Sequence, residues 1–343
     1  MNALLDIRDL EVKFFLKEGT VEAANGVRLS MAPHQTLGVV GESGCGKSIT
    51  ARAAMGILPP RGKITGGEIW LAPRDGHGDK PVDLAKLRPN SKEMRAIRGA
   101  DISMIFQEPM TSFSPVHTVG NQIIESIRLH RKSSKKEASD RVVELLRLVG
   151  VPMPENRVNA FPHELSGGLR QRCMIAMALA CHPRLLVADE PTTALDVTIQ
   201  GQILRLIRQL QHELGMAVMM ITHDLGVIAE TADDVAVMYL GRIVEHASVE
   251  SVFGEPLHPY TQGLLRSVPR IGKGNVARLA SIRGSVPDPF TRLAGCPFHP
   301  RCDACIPGVC DQGAPPITVE PMPGHKVACH LWDNARSARE VTP

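Results

Sequence analysis

The chain has 343 residues, 43% hydrophobic and 22% charged, with a formal charge of +3. That balance describes a folded protein with one large domain and room for an appendage, and it excludes a disordered chain. So small a net charge, with 3% aromatic residues, also argues against a nucleic-acid-binding surface.

The opening MNALLDIRDL has no basic segment followed by an apolar one, so no signal peptide is expected. The longest apolar runs, such as CMIAMALA at 173–180, are too short to span a membrane. A cytoplasmic location follows as an expectation, and with it reduced thiols. Residues 4–40 alternate polar and apolar positions and end in TLGVV, a pattern that predicts strands. KSITARAAMGIL at 47–58 is predicted as a helix stopped by Pro59 and Pro60. Residues 72–92 are polar, with RDGHGDKP as an exposed loop between strands. From about 108 to 182 the period becomes helical, clearest in KKEASDRVVELLRLVG. RLLVAD (184–189) and MAVMMIT (216–222) read as buried parallel strands, separated by the amphipathic helix TIQGQILRLIRQLQHEL. Strands alternating with helices imply an α/β fold with a parallel sheet covered on both faces. After about 255 proline and glycine become frequent and the periodicity weakens. No internal repeat is visible, so one nucleotide-binding unit per chain is expected.

GESGCGKS at 41–48 lies between a predicted strand and a predicted helix, the context a phosphate loop requires. Gly41, Ser43, Gly44, Cys45, Gly46, Lys47, Ser48 and the following Ile49 are its candidate nucleotide-binding residues. Backbone N–H groups from Gly44 to Ser48 would wrap a phosphate at the helix N-terminus. Lys47 would reach the β- and γ-phosphates, and the Ser48 hydroxyl would coordinate Mg²⁺. LLVADE (185–190) delivers Asp189 to a strand end as a metal-holding carboxylate. Glu190, one residue on, is placed to polarise an attacking water. Two adjacent carboxylates beside a phosphate loop are costly without a metal. LSGGLRQR (165–172) puts Ser166, Gly167 and Gly168 before a helix, a second anion-binding turn. One chain would rarely turn two such sites on one triphosphate. ITHDL places His223 at a strand end, within reach of a γ-phosphate oxygen, and FQEPMTS places Gln107 for a Mg²⁺ or water contact.

Together GESGCGKS, Gln107, LSGG, LLVADE, ALD (194–196) and His223 resemble the motif set of an ABC ATPase, over residues 4–270. The resemblance implies a phosphate-loop NTPase core, an antiparallel β subdomain and an inserted helical subdomain at about 108–182, within a cassette spanning 4–255. It also implies ATP and Mg²⁺ as ligands, with each ATP held between one phosphate loop and the Ser166-Gly167-Gly168 turn of a second ATPase subunit. Asp196 would then sit at the dimer contact, and Phe14, or Phe15 beside it, would stack on adenine. FQEPMTSFSPVHTVGNQIIE, DEPTTALDVTIQGQI and HPYTQGLLRSVP resemble the ATP-binding subunits of dipeptide/oligopeptide importers. Nickel importers of the same subfamily are similar. Such importers use two different ATPase chains, two membrane permeases and an extracytoplasmic solute-binding protein, so a peripheral location on the cytoplasmic face of the inner membrane is implied. A nucleic-acid-associated or redox-regulated ABC ATPase is the alternative class; two cassettes or a basic arm would mark the first, and neither is present.

Cys45, Cys173 and Cys181 are expected to be packed small side chains. The tail, 256–335, adds GCPFHPRCDACIPGVC at 295–310 and then Cys329. In a reducing compartment Cys296, Cys302, Cys305, Cys310 and Cys329 are candidate metal thiolates, as a [4Fe–4S] cluster, a structural zinc, or free thiols. Similar tails resemble iron–sulfur sites, with cysteines matching 296, 302, 310 and 329. Cys305 is additional, which leaves Cys305 or Cys310 open as the third ligand. Remote in sequence from the phosphate loop, this appendage is expected to act as a structural staple.

Overall fold

Runs that are apolar on both faces, such as TLGVV, LLVAD and AVMMI, can be accommodated only inside a sheet covered from both sides. In a computed structural model, which describes residues 3–74, 80–108, 112–193, 195–267 and 282–333, they are such strands. The first four strands in the chain are β1 (Leu5–Phe15), β2 (Thr20–Met31), β3 (Thr36–Val40) and β4 (Gly62–Leu71), followed by β5 (Val82–Asp83) and β6 (Ile102–Ile105). β7 (Leu185–Asp189) and β8 (Ala217–Ile221) are, like β3, buried at every position. β9 (Asp234–Tyr239), β10 (Arg242–Ser248), β11 (Val319–Met322) and β12 (His325–Val327) complete the set.

These strands form two sheets. One is four-stranded and antiparallel, in the order β2-β1-β4-β5; the other is eight-stranded, in the order β11-β12-β10-β9-β3-β8-β7-β6. Within the second, β3 runs parallel to β8 and β9, and β7 runs parallel to β8 and β6. β9–β10, β10–β12 and β11–β12 are antiparallel, so the sheet is mixed and not wholly parallel. The parallel strands all end on one edge, the place where α/β sheets bind ligands.

Helix α1 (Lys47–Ala54) ends four residues before the predicted limit of 58, because Gly56 takes a left-handed φ of 61° and reverses the chain ahead of the prolines. A short α2 (Lys92–Ile97) follows β5. The helical stretch contains α3 (Val119–His130), α4 (Lys135–Leu148), α5 (Pro154–Arg157) and α6 (Gly167–Ala178). α4 opens with a capping box between Ser134 and Glu137 and buries Ala138, Val142, Leu145 and Leu146, one face at helical spacing. That face meets Ile123 and Ile127 of α3 and Ile175 of α6 in one core that continues under the eight-stranded sheet. α7 (Val197–Leu214) follows β7, with Asp196 as its N-cap and Gly215 closing it at φ 63°. α8 (Leu225–Thr231), α9 (Val249–Gly254) and α10 (Pro259–Arg266) are the remaining α-helices among the described residues. Of the expected loop RDGHGDKP, residues 75–79 lie outside the described residues, as do 109–111 of FQEPMTS, Ala194 of ALD and everything beyond 333.

The C-terminal segment does not stand apart as an appendage. β12 pairs with β10 through Glu245–Val327 and His246–Lys326, extending the main sheet. Cys296, Phe298 and Cys310 belong to the same buried core as the sheet strands. Glu245, fully buried, accepts hydrogen bonds from the Leu257 and His258 amides at 2.7 and 2.9 Å and from His325 Nε2 at 2.8 Å. With weak periodicity the segment gave no strand signal; two short strands and one satisfied buried acid hold it to the sheet.

Candidate functional site

The turn between β3 and α1 is built by glycines. Gly46 sits at φ 104°, and a Cβ there would run into the Ala23 carbonyl oxygen; Gly44 sits at φ 78°. Ser43 to Ile49 line a cavity of about 200 Å³ together with Ala23, Gln107 and Glu190. Lys47 is buried, and its Nζ donates to the carbonyls of Gly41 at 2.7 Å and Glu42 at 3.1 Å. Cys45 is packed in the core below, as expected for a small side chain, and burial pushes its thiol up.

β7 carries Asp189 to the sheet edge, where the side chain is fully buried. The Ser48 hydroxyl donates to Asp189 Oδ1 at 2.6 Å, while Oδ2 has no hydrogen-bond partner and lies 3.9 Å from the Arg52 guanidinium. Burial raises this carboxyl above the ordinary range, against the pull of Ser48, Arg52 and Lys47. A buried carboxylate oxygen without a donor, next to a serine hydroxyl at a phosphate loop, fits the hard oxygen set that Mg²⁺ takes. Mg²⁺ would supply charge neutralisation of the phosphates there.

Glu190 takes φ 47°, a left-handed conformation that β-carbon-bearing residues rarely adopt. Its carboxylate is held from three sides: Gln107 Nε2 donates to Oε2 at 3.0 Å, Thr193 Oγ1 donates to Oε2 at 2.8 Å, and His223 Nδ1 lies 3.2 Å from Oε1. Four parallel strand ends thus converge, with β6 supplying Gln107, β7 Asp189 and Glu190, β8 His223, and β3 the phosphate loop. Gln107 and the imidazole of His223 contact Glu190, and both remain open to solvent. Thr193, within DEPTTALD, carries no sequence signal of its own beyond its position three residues past Glu190.

Ser166, Gly167 and Gly168 are not part of this cavity. Ser166 caps α6, its Oγ accepting from the Leu169 amide at 3.4 Å, and both Ser166 and Gly167 are exposed. α6 is nonetheless tied to the segment that follows β7: buried Gln171 Nε2 donates to the Pro191 carbonyl at 2.6 Å. Asp196 is exposed at the start of α7, beside Val197, which is 85% exposed. Phe14 is half-buried, its ring against Gly62, whereas Phe15 is 48% exposed.

None of the eight cysteines is in a disulfide. Cys173 and Cys181 are buried, as expected of packed side chains, and burial pushes Cys173 up to about 12. In the tail Cys296, Cys310 and Cys329 are buried and Cys302 and Cys305 partly so. The Cys296 amide donates to the Cys310 carbonyl at 2.8 Å. Burial pushes the Cys296 thiol up to about 11 and Cys329 to about 12, with the neighbouring thiols adding to both shifts. Among the described residues, no group of three or more His, Cys, Asp or Glu is placed to hold a metal ion. The expected cluster or zinc therefore has no assigned site in this structure.

A strand-end cluster of this kind, with an exposed Ser-Gly-Gly turn opening a helix outside it, is the architecture of an ABC ATPase cassette. The family model for ABC transporters matches residues 24–193, and that for the oligopeptide/dipeptide transporter C-terminal region matches residues 244–310. A probable peptide ABC transporter ATP-binding protein of Sinorhizobium fredii is 52% identical over 95% of this chain and 94% of its own length. The dipeptide transport ATP-binding protein DppD of Bacillus subtilis is 48% identical over 97% and 96%. The dimeric structure of MJ0796, a bacterial ABC transporter cassette, superposes with a TM-score of 0.62 at 25% identity, covering 71% of this chain and 98% of that one. The chain belongs to the ABC transporter ATP-binding proteins of the oligopeptide/dipeptide type, and ATP hydrolysis is its activity. Among the described residues, no helix is long and apolar enough to cross a membrane.

Proposed function

We propose that this chain energises the import of peptides by binding and hydrolysing ATP as a peripheral subunit on the cytoplasmic face of the membrane. The observation that carries the reading is Glu190 held over the phosphate-loop cavity by Gln107, Thr193 and His223. Chains similar along almost their whole length are named for peptide and dipeptide transport, which supports the solute class. In this reading Lys47 and the loop amides hold the triphosphate, Ser48 and Asp189 hold Mg²⁺, and Glu190 takes the proton of the attacking water. His223 and Gln107 orient that carboxylate and the γ-phosphate. The exposed Ser166 turn, Asp196 and Val197 face a second ATPase subunit, a different chain in this type of importer. Two permeases and an external solute-binding protein complete the assembly. Phe15 is the better adenine platform of the two aromatics, since Phe14 is packed against Gly62. Uptake of labelled di- and tripeptides by cells carrying Lys47→Ala in place of the wild-type chain should fall to background. Normal peptide uptake with loss of nickel uptake would move the solute assignment to the metal.

We also propose that the tail thiols hold a [4Fe–4S] cluster. The support is the spacing of the tail cysteines together with their burial: Cys296, Cys310 and Cys329 are buried, whereas Cys305 is only partly so. That favours Cys310 over Cys305 as the third ligand. Zinc sites favour pairs of close-spaced cysteines, and in the tail only Cys302 and Cys305 form such a pair, which favours the cluster over zinc. Protein purified without oxygen should contain near-stoichiometric iron and acid-labile sulfide, and Cys296→Ser should bleach it. Zinc without sulfide, or no metal, would refute the cluster.

A further inference from the structure

The tail reaches the phosphate loop through Arg301. Arg301 lies in a short 3₁₀ turn, His299–Arg301, and is 6% exposed. Its Nη1 donates to Glu42 Oε2 at 2.6 Å and its Nη2 to Glu42 Oε1 at 2.9 Å, a two-pronged bond across 259 residues of sequence. Nε donates to the Arg283 carbonyl at 3.0 Å, and the guanidinium lies over the Tyr239 ring at 5.9 Å. Glu42 is the second residue of the phosphate loop, and its other polar groups are fastened too. Its amide donates to the Tyr260 hydroxyl at 2.9 Å, and its carbonyl accepts from Lys47. Tyr239, Tyr260 and Phe298 pack ring to ring around this contact, with centroids 4.7 to 5.3 Å apart.

We propose that Arg301 is a positioning residue for the phosphate loop, holding and neutralising Glu42 so that the loop accepts a triphosphate. An unpaired carboxylate in the loop that wraps the phosphates would repel them, and the Glu42 side chain, 27% exposed, is only partly screened by water. Arg301 removes that charge, and its planar fork fixes the carboxylate in a single orientation, which a lysine ammonium cannot do. The turn lies between Cys296 and Cys302, so whatever fixes those thiols also fixes the guanidinium. The proposal rests on the ATP-hydrolysing reading of the loop.

The test compares Arg301→Met, Arg301→Lys, Glu42→Gln and the Arg301→Met/Glu42→Gln pair in the assembled transporter, measuring KM and kcat for ATP. Arg301→Met should raise KM roughly tenfold with kcat within about twofold, and adding Glu42→Gln should return KM most of the way to wild type. An unchanged KM in Arg301→Met, or a raised one that Glu42→Gln does not lower, overturns the proposal. If Arg301→Met does not fold, amide exchange in Arg301→Lys decides: exchange should quicken at residues 41–48, and unaltered protection there overturns the proposal. Wild-type protein that binds ATP without hydrolysing it would count against the functional reading alone, because ATP affinity and amide exchange still decide the role of Arg301.

Discussion

Replacing Glu190 with glutamine is expected to leave ATP bound and to slow its hydrolysis by about 10²–10⁴-fold, the range a general base contributes. Glutamine has the same shape and keeps an oxygen for the Gln107 and Thr193 donors, so the left-handed backbone at φ 47° need not relax. What is lost is the proton acceptor. Ser48, Asp189 and the loop amides, which would hold the triphosphate and its metal, are untouched. Nucleotide affinity should therefore remain within a few-fold of wild type while turnover in the assembled complex collapses. Turnover within twofold of wild type would reject Glu190 as the base and shift attention to His223, the imidazole 3.2 Å away.

Most of the central sheet was legible because its strands are apolar on both faces and short, and each motif sits at a strand end. LLVAD buries all five positions and releases Asp189 at the sheet edge, as the run of apolar residues implied. The limits of α1 were misread because proline is a conspicuous stop signal, yet Gly56, three residues earlier, had already ended the helix. The tail was the least legible part. β11 and β12 are four and three residues long, too short to show alternation. Arg301 carries no local signature, and its bond to Glu42 depends on β10, β12 and the Tyr239–Tyr260–Phe298 packing bringing distant segments together. Thr193 and Gln171 were missed because a hydroxyl or amide that orients another residue has no motif apart from the fold that aims it.

Replacing Ser166 with arginine should abolish hydrolysis in the assembled transporter while ATP still binds this chain's own phosphate loop. Ser166 and Gly167 are exposed and outside the cavity that Lys47, Ser48 and Glu190 line. An anion-binding turn that its own chain leaves open is complete only when a second subunit presents a phosphate to it. Arginine would fill that turn and remove the small residue that lets a γ-phosphate approach the α6 amides. The serine's capping bond to the Leu169 amide is long, at 3.4 Å, so its loss should cost only about 1 kcal/mol of helix stability. The fold survives that, and ATP affinity of the isolated chain should stay within about twofold of wild type, well above that of Lys47→Ala. Closure of the two ATPase subunits around ATP should fail, read as loss of the ATP-dependent dimer and a drop in turnover on the scale of Glu190→Gln. The Gln171–Pro191 bond at 2.6 Å would then be the route by which an unfilled turn leaves the Glu190 segment unset. If the isolated Ser166→Arg chain loses ATP as severely as Lys47→Ala does, the turn serves the chain's own nucleotide and the shared-site arrangement is wrong.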